Sequence, residues 1–480
     1  MPNKFPFDLV VLDRNQNEPL YQQLYDVIRN MIETHALPSG MEVPSSRELA
    51  DDMNIARNTV IAAYDQLVTE GFIVSRRNAR ATVVELPKRN SAITKPSVSK
   101  LHLSNRGEIL GRQHIHHGTP GQNAFHPGMP DAPSFPHKEW SKILSKQAYE
   151  NGAKLFGTYH VVGHPQLREA IAAYLGMSRG VRCTADQVVV TTGAQAAFDL
   201  LSRLLLDPGD QVWMEEPGYF GAQAAFSVAG GELHSLQVDE FGWNFNLPDG
   251  VKPRIICVTP ACQHPFGITM TIEERIKLLD IAEENDSWII EDDYDGEYRF
   301  DGRPVPSLQG MDRMDRVIYI GTFAKILFPA LRLGYIVVPL TLVDKIAHAL
   351  STTGQFAPLL LQAAVAEFIE SGKMARHLSR MRRLYAQRRK FFSEICKEKF
   401  GKDLTLVNGG AGIQIVGLLS DGKDDVAIAV QAQKKGINLS PLSKYYRHSV
   451  PRQGFVLGYA ASDERTTKAA LQKLYVLITA

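Results

Sequence analysis

The chain has 480 residues, of which 44% are hydrophobic and 22% are charged, and its formal net charge is +1 at pH 7. This composition is that of a globular protein with more than one core, which excludes a disordered chain, and no segment is apolar for long enough to span a membrane. Because the net charge is close to zero, any affinity for nucleic acid has to come from local clusters of basic side chains.

The amino terminus and the cysteines indicate the compartment. The first residues, MPNKFPFDLVVLDRN, lack the apolar run of a signal peptide. The cysteines form no CxxC pair, which favours inert buried thiols over disulfides or a metal site. They are Cys183, Cys257, Cys262 and Cys396. We therefore expect a cytoplasmic protein that binds no metal.

Changes of composition divide the chain into three zones. Residues 1–85 carry short amphipathic helices followed by two β-rich segments. Residues 86–112 are rich in Ser, Pro, Lys and Arg without a sustained apolar period, which is typical of a linker. In residues 113–480, apolar strand-like runs alternate with helical patterns, which predicts an α/β domain with a largely parallel sheet covered by helices on both faces. A long helix from about Arg376 and a smaller α+β subdomain complete this zone.

The first zone predicts a winged helix-turn-helix. Ser45 and Glu48 form a capping box at the start of the second helix, and Gly71 ends the third helix. The segment FIVSRRNARATVVEL then predicts a β-hairpin with a basic tip. The inward side chains of the three helices are predicted to be Leu20, Leu24, Val27, Ile28, Met31, Ile32, Leu49, Ala50, Met53, Val60, Tyr64, Leu67 and Val68.

Basic side chains of this zone are placed where DNA contacts are expected, although the zone holds 8 Lys and Arg against 12 Asp and Glu. Arg57 opens the third helix, whose amino end would reach base edges in the major groove. Arginines at the tip of the wing suit phosphate or the minor groove. The candidate DNA-binding residues are Ser45, Arg47, Arg57, Asn58, Thr59, Arg76, Arg77 and Arg80. The linker holds six basic residues against one Glu, and it is either a solvated tether or a further contact to the DNA backbone.

The segments PLYQQLYDVIRNMI, LPSG, VPSSRELA and ARNTVIAAYDQLVTEGFIVSRR resemble the GntR-type winged helix over its whole length. Two positions depart from the pattern. Ala56 stands where the third helix usually has a Ser cap, and the wing has Asn78, Ala79 and Arg80 where glycines are usual. A helix-turn-helix used for protein contact is the alternative.

Four places in the third zone carry candidate chemistry. VVVTTGAQAAFDL predicts a strand, a turn and a helix, whose first amides would bind an anion. SWIIEDDYD carries an apolar strand into a cluster of carboxylates with Tyr294. RVIYIGTFAKILFPALRLGYIVV places Lys325 in a turn between apolar strands, where burial lowers the pKa of its amine and favours imine formation. PGYFG places Tyr219 just after a strand, where it would cover a planar ring.

Each of these residues alone has an ordinary explanation, such as a solvated turn lysine or a helix cap. Together they meet the demands of pyridoxal 5′-phosphate (PLP): an amine for the aldehyde, a carboxylate for the ring nitrogen, a phenol for the ring oxygen and a phosphate cup.

HPGMPDAPSFPHKEW, TTGAQAAFDL, EEPGYFGAQAAF, IIEDDYDGEYRF and IGTFAKILFPALRLGYIVVP resemble fold-type I aminotransferases and, more closely, the MocR subgroup of GntR-type regulators. The resemblance implies that Lys325 forms a Schiff base with PLP, that Asp292 lies opposite the pyridinium nitrogen and that Tyr294 contacts the ring hydroxyl. It also implies that Tyr219 stacks on the ring and that Tyr159 reaches the cofactor of a partner subunit. The implied phosphate-binding residues are Gly193, Ala194, Gln195, Thr322 and Arg332.

Some positions depart from the aminotransferase pattern. Ala324 replaces the usual Ser before the lysine. His264 stands where an Asn is usual, so that either Gln263 or His264 takes its place, or His264 is only a packed residue. Val456 stands where an Arg usually binds the substrate carboxylate. Arg447 or Arg452 would replace that Arg as effector-binding residues. If neither does, the ligand is not held as an ordinary α-amino acid, or PLP itself is the signal.

The leading hypothesis is a DNA-binding transcription regulator that senses PLP, an amine effector, or both. The fold-type I resemblance implies a homodimer, and two DNA-binding domains imply an operator with two half-sites. The alternative is a working aminotransferase with an accessory DNA-binding domain, against which Val456 argues. A scaffold that has lost PLP agrees poorly with the presence of Lys325, Asp292 and Arg332.

Overall fold

The computed structural model describes residues 5–14, 16, 18–75, 79–86, 102–112, 124–302, 305–407 and 409–479. Two compact units are present, residues 1–101 and residues 102–480. None of the described helices combines the length and the apolar character that crossing a lipid bilayer requires.

The first unit is a small helical core with a two-stranded sheet. Its elements are α1 (Leu20–Glu33), α2 (Ser46–Met53), α3 (Arg57–Thr69), β1 (Ile73–Val74) and β2 (Thr82–Val83). The two strands are antiparallel, with Ile73 paired to Val83. Leu24 and Ile28 of α1, Leu49 of α2 and Leu67 of α3 are fully buried together.

Most predictions for this unit are confirmed. Ser45 Oγ accepts a hydrogen bond from the Glu48 N–H at 3.2 Å, which completes the predicted capping box. The α3 helix begins after Ala56, which makes no side-chain cap, and Gly71 follows its end with a φ of +79°. Val68 was predicted to face inward, and this was wrong, because 39% of it is exposed at the carboxyl end of α3.

The second unit contains eleven α-helices and twelve strands within the described residues. The helices are α4 (Asn105–Arg112), α5 (His137–Phe156), α6 (Pro165–Arg179), α7 (Ala194–Leu205), α8 (Phe220–Ala229), α9 (Ile272–Glu284), α10 (Leu340–Thr353), α11 (Leu359–Glu370), α12 (Lys373–Phe400), α13 (Asp425–Lys434) and α14 (Glu464–Thr479). The strands are β3 (Val188–Thr191), β4 (Gln211–Glu216), β5 (Glu232–Asp239), β6 (Gly242–Trp243), β7 (Ile255–Val258), β8 (Trp288–Asp293), β9 (Val317–Thr322), β10 (Gly334–Val337), β11 (Leu404–Leu406), β12 (Gln414–Leu419), β13 (Ser440–Pro441) and β14 (Gly454–Gly458).

Eight strands form a large mixed sheet in the order β3-β10-β9-β8-β7-β4-β5-β6. The five neighbours from β9 to β5 are parallel, while β10 and β6 are antiparallel to their neighbours. The five apolar runs predicted as strands are β3, β4, β7, β8 and β9, so these predictions are confirmed.

Helices cover both faces of this sheet. Because successive strand residues point to opposite faces, Val189 packs with Phe198 of α7, whereas Val188 and Val190 pack with Leu167 of α6. Burial of the sheet on both faces explains why its strands are almost continuously apolar.

The carboxyl-terminal part also follows the predicted order. The long helix α12 leads into a four-stranded antiparallel sheet in the order β11-β12-β14-β13. One difference concerns residues 86–112, because Asn105–Arg112 forms helix α4, which packs on α8 within the second unit. Ser104 Oγ accepts a hydrogen bond from the Gly107 N–H at 3.1 Å and so caps the start of this helix, a local signal within a segment of linker composition.

Candidate functional site

Five strands of the large sheet end at the edge where the candidate site lies. β4, β7, β8 and β9 are parallel, and β3 runs in the same direction because β10 is antiparallel to both β3 and β9. Gly334 of β10 pairs with Thr191 on one side and Thr322 on the other. Asp292 pairs with Ile320, two residues before Thr322. The carboxyl ends of these strands therefore share the edge at which open α/β sheets bind ligands.

Lys325 lies in the turn between β9 and β10, as predicted. Its Nζ donates a hydrogen bond to the carbonyl oxygen of Gly128 at 2.5 Å, and the Tyr298 hydroxyl donates to the Lys325 carbonyl oxygen at 3.2 Å. Burial lowers the pKa of Lys325, while the charges of Asp295 and Asp292 act in the opposite direction. Burial therefore favours the neutral amine, which is the form that attacks an aldehyde.

Asp292 lies next to the end of β8, with only 5% of the residue exposed. Its Oδ1 atom is buried and has no hydrogen-bond partner among the described residues. Burial raises the pKa of Asp292 to about 8, and the charges of Asp293 and Glu215 add to this shift, while Lys325 opposes it. A bound cationic nitrogen would both pair the orphaned oxygen and stabilise the ionised carboxylate. The site therefore fits a protonated ring nitrogen at Asp292.

Aromatic rings surround His264 at this edge. The His264 ring meets Tyr219 edge to face, with centroids 5.8 Å apart and an interplanar angle of 88°, and it meets Tyr294 at 5.4 Å and 84°. Burial lowers the pKa of His264 to about 3, so its ring is neutral. Nδ1 of His264 lies 3.2 Å from Nε2 of Gln414 and accepts a hydrogen bond from it if the ring proton is on Nε2.

The structure distinguishes Gln263 from His264. Nε2 of Gln263 donates to the carbonyl oxygens of Pro217 at 2.9 Å and His264 at 2.7 Å, and Oε1 accepts from the Phe266 N–H at 3.0 Å. The Gln263 amide is therefore engaged by the backbone. The side chain that faces the two tyrosines is that of His264.

The turn that is predicted to bind an anion has the expected strand, turn and helix geometry. Gly193 caps α7 with a φ of +106°, a conformation that favours glycine. The helix begins at Ala194, so the N–H groups of Ala194 and Gln195 lie in the first turn and have no acceptor within the helix. The side chain of Gln195 donates from Nε2 to the carbonyl oxygen of Gly221 at 2.9 Å.

Thr322 and Arg332 reach the same edge from β9 and from the start of β10. Thr322 is the last residue of β9, and its Oγ1 accepts a hydrogen bond from the Ala324 N–H at 3.1 Å, which leaves the hydroxyl proton available to a ligand. Arg332 is exposed. Burial raises the pKa of Tyr219 to about 12, and the charge of Arg332 opposes this shift, so the guanidinium lies within electrostatic range of Tyr219.

The structure does not bring Tyr159, Arg447 or Arg452 to Lys325. Tyr159 is 65% exposed and stacks on Phe356 at 5.2 Å. Arg447 Nη1 donates to Ser227 Oγ at 3.2 Å, and Arg452 forms a bidentate ion pair with Glu240. The roles predicted for these three residues remain predictions.

Val456, which stands where a carboxylate-binding Arg was expected, lies in the middle of β14 and is fully buried. It pairs with Val416 and Ser440 and packs in an apolar cluster. Position 456 therefore supplies no charge to a ligand.

Those candidate DNA-binding residues that the structure describes lie on the surface of the first unit. Arg47, Arg57 and Asn58 are exposed, and Thr59 is partly exposed. Arg57 Nε donates to Ser46 Oγ at 3.3 Å, which holds the start of α3 against the start of α2. Arg80 Nη2 lies 3.0 Å from a carboxylate oxygen of Glu48, the capping-box residue. Arg76 and Arg77 lie outside the described residues.

Four residues of the site were missed by the sequence analysis. Gly128 lies in the quoted HPGMPD segment, and its φ of +66° places its carbonyl at Lys325 Nζ. The Cys262 sulfur lies 3.5 Å from the Tyr294 hydroxyl. Asp295 is fully buried and accepts from the Ile413 N–H at 2.9 Å. Gln414 comes from the small sheet, and no local signal connects it with the lysine turn.

Comparison with known proteins agrees with this architecture. The family described as "Bacterial regulatory proteins, gntR family" matches residues 20–84, and "Aminotransferase class I and II" matches residues 131–474. The probable rhizopine catabolism regulatory protein MocR of Rhizobium meliloti is 45% identical over 97% of this chain and 95% of its own. The pyridoxine biosynthesis transcriptional regulator PdxR of Corynebacterium glutamicum is 30% identical over 96% of each chain.

Among solved structures, the kynurenine aminotransferase of Pyrococcus horikoshii in complex with PMP superimposes with a TM-score of 0.69 at 27% identity. The match covers 79% of this chain and 95% of that enzyme. Together these similarities show that the chain belongs to the MocR-type regulators of the GntR family, in which a GntR helix-turn-helix is joined to a domain with the class I and II aminotransferase fold.

Proposed function

We propose that this DNA-binding transcription regulator binds PLP through Lys325 and responds to PLP itself, to an amine effector, or to both. The class I and II aminotransferase family to which its larger domain belongs is PLP-dependent. The observation that carries the proposal is that the site combines a largely buried amine, that of Lys325, with a buried carboxylate oxygen, Oδ1 of Asp292, that has no hydrogen-bond partner among the described residues.

Different residues of the site would hold different parts of this cofactor. PLP, when bound, supplies an aldehyde that bonds reversibly to amines. Lys325 would hold the aldehyde carbon, and Asp292 would keep the proton on the ring nitrogen. Tyr294, and the neutral His264 beside it, would face the ring hydroxyl, and Tyr219 would cover one face of the ring. The phosphate would be held by Gly193, Ala194, Gln195, Thr322 and Arg332.

The surroundings of this site favour a regulator over an enzyme with rapid turnover. Val456 is buried and uncharged, and the side chains of Arg447 and Arg452, which would have to replace the usual arginine, contact Ser227 and Glu240. We propose that the signal is PLP or an amine without the usual α-carboxylate grip. Binding changes the relative stability of two arrangements of the DNA-binding domains and so shifts their populations.

The regulator would act in the cytoplasm as a homodimer, with Tyr159 reaching the cofactor of its partner. Two helix-turn-helix units would read two half-sites of an operator, with Arg47 and Arg57 at the amino ends of α2 and α3 and with Ser45, Asn58 and Thr59 beside them. Arg80, and Arg76 and Arg77 of the wing, would contact phosphate or the minor groove.

A titration with PLP tests this function. The full chain, freed of cofactor, is expected to gain a visible absorbance band on addition of PLP, and subsequent addition of candidate amines is expected to change that band and the affinity for DNA together. Protein that stays colourless with PLP would refute the proposal. Multiple turnover of an amino acid at the rate of dedicated aminotransferases would instead support the alternative of an enzyme with an accessory DNA-binding domain.

A further inference from the structure

A buried ion pair lies directly behind Asp292. Arg179, the last residue of α6, donates from Nε to Oδ2 of Asp293 at 2.6 Å, and its Nη2 lies 2.6 Å from the same oxygen. The side chains are 3% and 1% exposed. The Tyr319 hydroxyl also donates to Oδ2 at 2.7 Å, and the Gly296 N–H donates to Oδ1 at 3.1 Å. Asp293 is therefore held by three groups from three different parts of the second unit.

The cluster encloses the turn that follows β8. Arg179 Nη1 donates to the carbonyl oxygen of Gly296 at 3.2 Å. A Cβ at position 296 would lie 2.2 Å from Asp293 Oδ1 and 2.3 Å from Arg179 Nη2, so the glycine of the DDYDG segment is required by this ion pair. Glu297 follows in the same turn, is buried, and accepts from the Tyr174 hydroxyl at 3.0 Å. Burial raises the pKa of Glu297 to about 7, the charge of Asp293 adds to this shift, and the charge of Arg179 opposes it.

Asp292 and Asp293 are consecutive residues of one strand, so their side chains point to opposite faces of the sheet. Asp293 is fully partnered on its face, while Oδ1 of Asp292 has no partner among the described residues. After burial, the charge of Asp293 is the largest cause of the raised pKa of Asp292. The groups that interact with Asp292 electrostatically are Asp293, Glu215, Lys325, Asp295, Tyr219, Cys257 and Tyr294.

We propose that Arg179 is a positioning residue: by neutralising Asp293 and fixing the turn after β8, it lets the neighbouring Asp292 present an ionised carboxylate to the cofactor nitrogen. The inference rests on the proposed binding of PLP at Asp292. Without Arg179, Asp293 would be an uncompensated buried charge next to Asp292. A full negative charge on Asp293 would then repel the charge on Asp292 and raise the pKa of Asp292 further.

The test compares R179M, D293N and the double variant R179M/D293N in the full-length protein. The dissociation constant for PLP is measured from the visible absorbance band at several pH values between 6 and 9. At each pH, the constant of a variant is divided by that of the unchanged protein. This ratio cancels the titration of groups that all variants share. Urea unfolding of the cofactor-free proteins reports separately on the loss of stability.

R179M is expected to weaken PLP binding by about tenfold or more at pH 7. At any pH below the pKa of Asp292, each unit by which that pKa rises lowers the ionised fraction of Asp292 about tenfold. The deficit is expected to shrink towards pH 9, because the ionised fraction of Asp292 in the unchanged protein levels off above pH 8 while the fraction in R179M still rises. The double variant, which lacks both charges, is expected to bind within about threefold of the unchanged protein. D293N leaves the cation, so its relative affinity is expected to be highest at pH 6.

The matched control is a largely buried arginine that does not interact with Asp293. R168M is preferred to R275M in this role, because Arg275 interacts electrostatically with Asp293 and Arg179. The Arg168 side chain is 14% exposed, its Nε donates to the carbonyl oxygen of Val188 at 2.8 Å, and its charge interacts with Asp186 and Glu169. Its loss is expected to lower stability without a pH-dependent change in the PLP affinity ratio.

Two results would overturn the inference. One is a loss in R179M that is equal at every pH and is not restored in the double variant. The other is a relative PLP affinity of D293N that rises from pH 6 to pH 9, as that of R179M is expected to do. If R179M does not fold, the direction of the D293N profile alone still tests the inference. If the unchanged protein itself develops no band with PLP, the proposed function fails first and the role of Arg179 fails with it.

Discussion

The two units of this regulator carry their functional side chains in opposite environments. In the helix-turn-helix, Arg47, Arg57 and Asn58 are exposed, and the core beneath them consists of other residues. In the aminotransferase-like unit, Asp292 and Asp295 are buried, and burial shifts the pKa values of both upward. We conclude that the proposed DNA contacts can change with little effect on folding, whereas the proposed cofactor site is built from groups whose charged forms are costly to bury. Substitutions in the two units should therefore separate function from stability in different ways.

Lys325→Ala is expected to give the largest effect, a complete loss of the visible band formed with PLP, because Nζ of Lys325 is the amine proposed to bond to the aldehyde. The unfolding free energy of the cofactor-free protein is expected to change by less than about 1 kcal/mol, since burial of the amine is already unfavourable. Absorbance titration and urea unfolding measure the two quantities. Lys390→Ala, at a side chain that is 77% exposed, is the control and should keep the band. A band that persists in the Lys325 variant would assign the aldehyde to another residue.

Asp292→Asn is expected to stabilise the cofactor-free protein increasingly as the pH rises from 5 to 8. The pKa of Asp292 is raised to about 8 by burial, so the folded protein keeps a proton that the unfolded chain releases near pH 4. The contribution of Asp292 to the unfolding free energy is therefore complete below pH 4. This contribution is lost as the pH rises towards 8, at up to about 1.4 kcal/mol per pH unit. Asparagine does not titrate and removes this loss.

Urea unfolding of the Asp292→Asn variant and of the unchanged protein at pH 5, 6.5 and 8 measures the difference between their unfolding free energies. The titration of the other buried carboxyl groups cancels in this difference. The same substitution is expected to weaken retention of PLP, so that stability and function change in opposite directions. A stability difference that is constant with pH would show that Asp292 does not carry the raised pKa.

Arg57→Ala is expected to show the opposite combination in the first unit. The loss of a bidentate contact to a base would weaken DNA binding by about 1–3 kcal/mol and relax the base preference at one position of each half-site. Because Arg57 is exposed, the unfolding free energy should stay within about 0.5 kcal/mol. Binding is measured on a DNA sequence selected by the full-length protein from a random pool. Arg203→Ala, at a side chain that is 58% exposed in the other unit, is the control. Unchanged binding would move the recognition surface away from the start of α3.

The same contrast explains what the sequence could predict. The buried strands β3, β4, β7, β8 and β9 were predictable because each is a short apolar run between turn signals, and the residues at their ends were therefore predictable too. Local capping signals were also readable, as the box at Ser45 shows. The arrival of Gln414 from the small sheet and of Arg179 from the end of α6 depends on contacts between residues more than 100 positions apart, for which a single sequence holds no local signal.

Ser45→Ala is expected to have the smallest effect and tests whether the first unit is stabilised in the same local way as the second. Ser45 Oγ accepts from the Glu48 N–H at 3.2 Å, and in the second unit Thr271 Oγ1 accepts from the Glu274 N–H at 3.2 Å within a capping box of the same kind. Each substitution by Ala should cost about 1 kcal/mol in the unit that contains it. Hydrogen exchange at the amides of Glu48 and Glu274 would measure the two losses separately.

Ser45→Asp then separates the cap from the predicted DNA contact. Aspartate caps a helix as well as serine does and interacts favourably with the helix dipole, so it should restore the stability lost in the alanine variant. Its negative charge would face the phosphate backbone, so DNA affinity should stay low or fall further. If Ser45→Asp instead binds DNA as well as the unchanged protein does, position 45 lies outside the DNA interface and serves the fold of the first unit alone.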